Sequence, residues 1–205
     1  MKYAISLCCV KLSNPDYQAI RNRHYVPNHG CIGMQIHYLI KEADHTIGII
    51  SGASAVYAVA ARDAFFGINK ENRNAALPSI INNVVFRLEE HKPNMATQVL
   101  SLWRKHITFD WYERYGVKVA GFETFVVEED YRKGSLYLAD NWTMLGKTQG
   151  NTKTQHTHGC KGKAERVPTT VKLIFAKKTG VPLLTFYKSS WREKVWVPSY
   201  EKKGL

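Results

Sequence analysis

Between residues 82 and 148 the apolar pattern changes period several times, and a polar residue interrupts it at each junction. Residues 83–88, with Val84, Val85, Phe86 and Leu88, are β-branched and aromatic, which predicts a strand that ends at the breaker His91-Lys92-Pro93-Asn94. Asn94 is a good N-cap residue. From there Val99, Trp103, Ile107 and Trp111 recur at spacings of four, one buried face of a helix over 95–115 that Gly116 stops. Residues 117–127 return to strand chemistry. Gly134-Ser135 then opens a last helix over 136–145, on which Tyr137 and Asn141 lie one turn apart on the same side, and Gly146 ends it.

Upstream, the pattern predicts a strand over 1–10, a short helix over 16–24, and strands over 34–40 and 46–55 that turn at Glu42-Ala43-Asp44-His45. Downstream, residues 169–177 and 181–187 read as two strands joined by Lys178-Thr179-Gly180. No internal repeat or low-complexity segment is present. The order of elements is that of a mixed α/β sheet, and 205 residues suit a single domain over 1–205 with a sizeable core.

Charge changes this picture because it is segregated. Residues 1–140 hold 16 Lys and Arg against 14 Asp and Glu, net +2, whereas residues 141–205 hold 13 against 3, net +10. A basic loop at about 146–168, carrying Lys147, Lys153, Lys161, Lys163 and Arg166 among Gly, Thr, Asn and Gln, reads as a mobile segment that tracks phosphates. A basic aromatic segment at about 187–205 interleaves Tyr187, Trp191, Trp196 and Tyr200 with lysines and arginines, which suits unstacked bases as well as backbone. A nucleic acid is therefore the expected partner. No apolar run approaches a membrane span and no leader pattern opens the chain, so a soluble cytoplasmic protein without membrane contact is expected. Cys8, Cys9, Cys31 and Cys160 are too few and too irregular for a disulfide framework, and the H-x-H-x-C of His156, His158 and Cys160 fits no standard zinc template, so no metal is expected.

Several polar residues are candidates for chemistry. The turn Pro93-Asn94-Met95-Ala96-Thr97 leads a strand into a helix whose first N–H groups lack intrahelical partners, so it either holds a phosphate or carboxylate or is a plain capped helix start. Glu123 interrupts an apolar strand on the face of Val119, Gly121 and Phe125. Such a carboxylate finds a partner, Arg87 or Arg62, or holds its proton with a raised pKa, and the second outcome suits a general base. Tyr137, taken by itself, is a core residue with a satisfied hydroxyl. Arg62-Asp63, read at a strand end or bend, orients a ligand or pins a loop. His24-Tyr25 closes the first helix and leads into the loop of Pro27 to Gly30.

The element order resembles the GNAT acyltransferase fold, a central mixed, mostly antiparallel sheet flanked by helices. His24-Tyr25, Arg62-Asp63, Asn82-Asn83, Phe86-Arg87-Leu88, Asn94-Met95-Ala96-Thr97, Asp110-Trp111, Tyr115-Gly116, Glu123-Thr124-Phe125-Val126, Gly134, Tyr137, Asn141-Trp142 and Gly146-Lys147-Thr148-Gln149-Gly150 resemble the DruA family of the Druantia phage-defence system. The block from Glu123 through Tyr137 and Asn141-Trp142 is also similar to the phage Mom proteins, which convert DNA adenine to a carbamoylmethyl form. The resemblance implies a transferase acting on a DNA base in a phage or anti-restriction setting, or a non-catalytic DNA-binding defence component; an ordinary acetyltransferase of a small amine or protein is the remaining alternative. It implies catalytic roles for His24, Tyr25, Asp63, Glu123, Tyr137 and Asn141. It further implies cofactor contacts at Asn83, Arg87, Asn94, Ala96 and Thr97, and nucleic-acid contacts at Arg62 and the basic loop. The donor would be acyl-CoA-like or aminoacyl, and other phage or defence proteins would be partners. The turn after the fourth strand carries no glycine, unlike the phosphate turn usual in GNAT enzymes.

Overall fold

The computed structural model describes residues 2–26, 33–153 and 166–185. In chain order it contains β1 (Ile5–Val10), α1 (Pro15–Arg21), β2 (Gln35–Glu42), β3 (His45–Ser54), α2 (Ala60–Phe66) and α3 (Arg73–Ala76). There follow β4 (Ile80–Leu88), α4 (Met95–Tyr115), β5 (Gly121–Val127), α5 (Ser135–Ala139), β6 (Thr143–Lys147), β7 (Asn151–Lys153), β8 (Arg166–Pro168) and β9 (Lys172–Lys178). Seven strands form one sheet in the order β1-β2-β3-β4-β5-β9-β6, antiparallel except where β4 and β5 run parallel, and β7 pairs with β8 in a separate hairpin.

The parallel pair is short. Only Ile80, Ile81 and Asn82 of β4 register against Gly121, Phe122 and Glu123 of β5, and beyond them the strands part. On the other side of β4 the register with β3 jumps from Gly52↔Asn83 to Ser51↔Val85, so Val84 is an extra, bulged residue at the point of divergence. A bulge there bends β4 away from β5 and opens the middle of the sheet.

The helix α4 covers one face with the residues its periodicity predicts: Val99, Trp103, Ile107 and Trp111 are all fully buried. Its close approach depends on Gly52, where a Cβ would collide with Ile107 Cδ1 and come within 2.6 Å of Ile81 Cγ2. On the other face, Tyr17 and Ile20 of α1 pack with Leu39, Ile49 and Val85, while Phe66 of α2 packs with Leu77, Ile80 and Ala176. Asn14 caps α1 by accepting from the Tyr17 N–H at 3.0 Å.

Several sequence expectations are corrected. The helix expected over 136–145 stops at Ala139: Asp140 accepts two hydrogen bonds from Arg104 and one from the Trp142 indole, which turns the chain so that Thr143–Lys147 joins β9 as an edge strand. Asn141 sits in that turn with φ 58° and is exposed. Gly146, read as a helix stop, lies in β6 beside a bulge. Arg62 and Asp63 lie within α2, not at a strand end. His24-Tyr25 follow α1, which ends at Arg21. The strand expected over 117–127 begins only at Gly121, and residues 181–185 are irregular. The expected mobile loop at 146–168 begins in β6 and includes β7 and β8, while Lys161 and Lys163 lie outside the described residues, as do His156, His158, Cys160 and the aromatic segment from Tyr187 onward.

Candidate functional site

Where β4 and β5 diverge the sheet opens into a cleft of about 1130 Å³. Its walls are β4 from Asn82 to Phe86, β5 from Thr124 to Val126, residues 24–26 after α1, the segment 56–61 leading into α2, and the turn and start of α5.

Side chains on the floor take over the hydrogen bonding that the parted strands cannot supply. The Tyr137 hydroxyl donates to Asn83 Oδ1 at 2.8 Å, and Thr124 Oγ1 donates to the Asn83 carbonyl at 3.0 Å. Asn83 Nδ2 in turn donates to the carbonyls of Ser51 at 3.0 Å and Val85 at 3.3 Å, so one asparagine links β3, β4, β5 and α5. Burial holds the Tyr137 phenol well above its ordinary value, so it remains a proton donor at every physiological pH. Beside it Asn82 is 7% exposed, and its Oδ1 is buried without a hydrogen-bond partner.

One wall is braced by a buried ion network. Arg62 donates through Nη1 to Glu123 Oε2, through Nε to Asp63 Oδ1 at 2.7 Å and through Nη2 to the Val56 carbonyl at 2.6 Å. The Val56 N–H donates to Glu123 Oε1 at 2.7 Å, and Arg73 donates to Asp63 Oδ2 at 2.9 Å. Both oxygens of Glu123 are thus engaged, and its side chain lies behind the cleft wall. Burial pushes its carboxyl up to about 7 against the pull of Arg62. The two outcomes open from sequence, a partner or a raised pKa, occur together.

The mouth is aromatic and cationic. The Arg132 guanidinium lies 3.8 Å over the Tyr25 ring and 4.9 Å from that of Tyr131, and His24 packs against Tyr25 with centroids 4.5 Å apart. Tyr25 is 45% and Tyr131 78% exposed. Burial lowers the His24 imidazole to about 4, so it is neutral. Lys133, Lys147 and Lys172 stand on the rim, Lys147 paired with Glu128 at 2.5 Å.

Of the residues singled out in the sequence, His24, Tyr25, Asp63, Asn83, Tyr137 and Lys147 line one cleft. Arg62 is fully buried, which removes it from any nucleic-acid surface. Asn141 stands outside the cleft and offers its carbonyl to Lys177 at 3.3 Å. Arg87 bonds Glu89 and the Arg23 carbonyl away from the cleft. Asn94, Ala96 and Thr97 do not line it either. Asn94 has φ 61° and its side chain makes no capping bond, because that left-handed conformation is not the extended one in which a capping oxygen reaches the helix N–H groups. Side chains of Lys153 and Arg166 are not described. Sequence reasoning missed Thr124, Arg132, Lys133 and Lys172. The signal for the first was a threonine one residue after Glu123 in an apolar strand; the others are ordinary surface cations until the fold brings them to one rim. Among the described residues no cluster of His, Cys, Asp and Glu fits a metal ion, and no helix is long and apolar enough to cross a membrane.

The family profile of Druantia protein DruA matches residues 9–174, which covers every residue that lines the cleft. The chain belongs to the DruA family. No curated protein matches it. Among solved structures, this DruA-family chain is similar to a Bacillus subtilis acetyltransferase in complex with CoA, at 8% identity and TM-score 0.54 over 85% of this chain and 98% of that one. It is also similar to a GNAT family acetyltransferase from Elizabethkingia anophelis with acetyl-CoA bound (9% identity, TM-score 0.49, 86% and 99% covered). A third is the Salmonella typhimurium acetyltransferase that modifies the N-terminal serine of ribosomal protein L7/L12 (12% identity, TM-score 0.44, 80% and 69% covered). The DruA-family fold is GNAT-like.

That fold implies a coenzyme A cofactor whose diphosphate sits at the start of the helix after β4, and the residues here do not fit one. The turn has no glycine, Met95 N–H already donates to the Lys92 carbonyl at 3.2 Å, and Glu90 and Glu42 flank Lys92 at 3.1 and 2.6 Å.

Proposed function

We propose that this DruA-family protein is a transferase that modifies a base in DNA. The observation that carries the reading is the cleft through the divided sheet, with a protonated phenol on its floor and Tyr25, Tyr131 and Arg132 at a lysine-rimmed mouth. Exposed aromatic faces and cations suit an extruded base and its flanking phosphates. The net charge of +12 favours a polyanionic substrate.

In this reading the exocyclic amine of the base attacks an electrophilic carbon of the donor. A carbon–nitrogen bond forms, the bond to the leaving group breaks, the amine gives up one proton, and the Tyr137 hydroxyl supplies one to the leaving group. His24, neutral at the mouth, takes the amine proton in this reading, since Asp63 and Glu123 are held in ion pairs. Glu123 and Arg62 position the segment 56–61 that forms one wall. Adenine N6 modification of the Mom type is the specific form favoured by the similarity around Glu123 and Tyr137, and family membership favours work alongside other defence proteins inside a bacterial cell.

The engaged state of Asp63 in the cleft and of Glu123 behind its wall also favours a second reading, a DNA-binding defence component without chemistry. Mass spectrometry of nucleosides from plasmid DNA recovered from expressing cells separates the two. A new base mass, absent with Tyr137→Phe, supports the transferase; unmodified DNA that still binds the folded protein supports the second.

A further inference from the structure

We infer that the donor used by this protein is not coenzyme A, because the place where the fold would hold its diphosphate is occupied by the chain's own N-terminal segment. The identity of the donor rests on the transferase reading above; the exclusion of coenzyme A rests on the geometry around α4 alone.

Three independent features close the site. Residue 3 is strapped across the first turn of α4: the Tyr3 N–H donates to Gln98 Oε1 at 3.0 Å, Gln98 Nε2 donates to the Tyr3 carbonyl at 2.6 Å, and the Tyr3 hydroxyl donates to the Pro93 carbonyl at 3.0 Å. The lysine nearest the turn is committed, since Lys92 Nζ sits 5.8 Å over the Tyr3 ring and pairs with both Glu42 and Glu90. The backbone nest is absent, because Asn94 takes the left-handed position with a side chain attached and Ala96 and Thr97 carry Cβ atoms where close approach of a phosphate to backbone N–H groups calls for glycine. A diphosphate arriving here would have to displace Tyr3 and separate Lys92 from two carboxylates.

The cleft agrees. Its lining on β4 stops at Phe86, and no residue between 87 and 98 contributes to it. Its lysines stand instead beyond β5, at Lys133, Lys147 and Lys172, where they flank the base-binding mouth, while Arg21 donates to the Val26 carbonyl and Arg73 to Asp63. The donor is therefore a molecule that fits within the cleft and needs no nucleotide anchor at α4, such as a small activated acyl or aminoacyl compound.

The whole 205-residue chain titrated with coenzyme A and with acetyl-CoA in thermal denaturation tests this directly. A ligand at roughly a hundredfold over its Kd raises Tm by several degrees in a chain of this size. The expected result at a concentration on the order of 1 mM is a change within about 1 °C for both compounds; a saturable rise of several degrees with either would overturn the inference. A second arm uses a desalted extract containing the protein and plasmid DNA. Adding back the low-mass fraction restores the new base and acetyl-CoA alone does not; restoration by acetyl-CoA alone would also overturn it. If no base is modified under any condition the transferase reading fails, while the thermal titration still decides the coenzyme A question.

Discussion

Glu123 brings together two demands that usually exclude each other, full burial and a charge. Its carboxyl is raised from 4.5 to about 7 by burial, so the folded state binds that proton more tightly than the unfolded chain, and the stability it contributes is lost as pH rises from about 4.5 through about 7. His24 and His37 act in the opposite sense. Burial lowers each from 6.5 to about 4, so the stability of their neutral rings is present above about 6.5 and lost as pH falls toward 4. His37 Nδ1 lies 3.0 Å from Ser51 Oγ and 3.2 Å from the Tyr17 hydroxyl, and its Nε2 is buried without a hydrogen-bond partner. Between pH 4.5 and 6.5 the two effects oppose each other. Glu123→Gln removes one of them, so urea denaturation across that window should show a steeper loss of stability on acidification in the variant than in the natural protein. Tyr137→Phe should leave Asn83 Oδ1 without its donor at a cost of about 1–3 kcal/mol, a fall of some degrees in Tm. With Tyr137 as the proton donor, the nucleoside product should disappear from the digest while DNA affinity stays unchanged.

The two helices that follow the divided strands show how far local pattern carries an element. The helix α4 runs over the residues its four-residue spacing indicates, Met95 to Tyr115, because a long apolar stripe and a terminal glycine are signals contained within the segment. The stretch after Gly134 offers apolar residues in an order compatible with a ten-residue helix, yet Arg104, thirty-six positions upstream, holds Asp140 and ends the helix there. Placement of α5 depends on Gly134, which has φ 73° and where a Cβ would run into the Phe175 ring. That ring stacks on Tyr137 at 5.6 Å between centroids. Gly134→Ala should therefore shift Tyr137 off the cleft floor and cost more than the roughly 1–2 kcal/mol of left-handed strain alone. Gly67→Ala is the control: its φ is 76° but nothing lies within 4 Å, so it should show only the strain. Equal losses of Tm in the two variants would mean that Phe175 yields freely.

At the scale of the molecule the excess of positive charge acts as a field on a polyanion rather than through any one pair. Replacing Lys133, Lys147 and Lys172 together by alanine should weaken DNA binding and reduce the slope of log affinity against log salt by about 0.9 for each phosphate that is no longer neutralised, read by fluorescence anisotropy across a salt series. An unchanged slope would put the DNA elsewhere, on the segments beyond the described residues. The mixed sheet, the order of its central elements, the buried face of α4 and the basic end of the chain were all legible in the sequence, because each follows from periodicity, a turn residue or a count of charges. So was the prominence of Glu123, a carboxylate set in an apolar strand, while Tyr25, Asn83 and Tyr137 stood out through the family resemblance. What those residues face was not. The pairing of Glu123 with Arg62 rather than Arg87, the bulge at Val84 that opens the cleft, and the strap of Tyr3 over α4 join positions up to ninety-five residues apart. Hydrogen-bond partners at such separations are set by the packing of whole elements, so tertiary structure alone decided which polar residues share a cleft and which are sealed behind its wall.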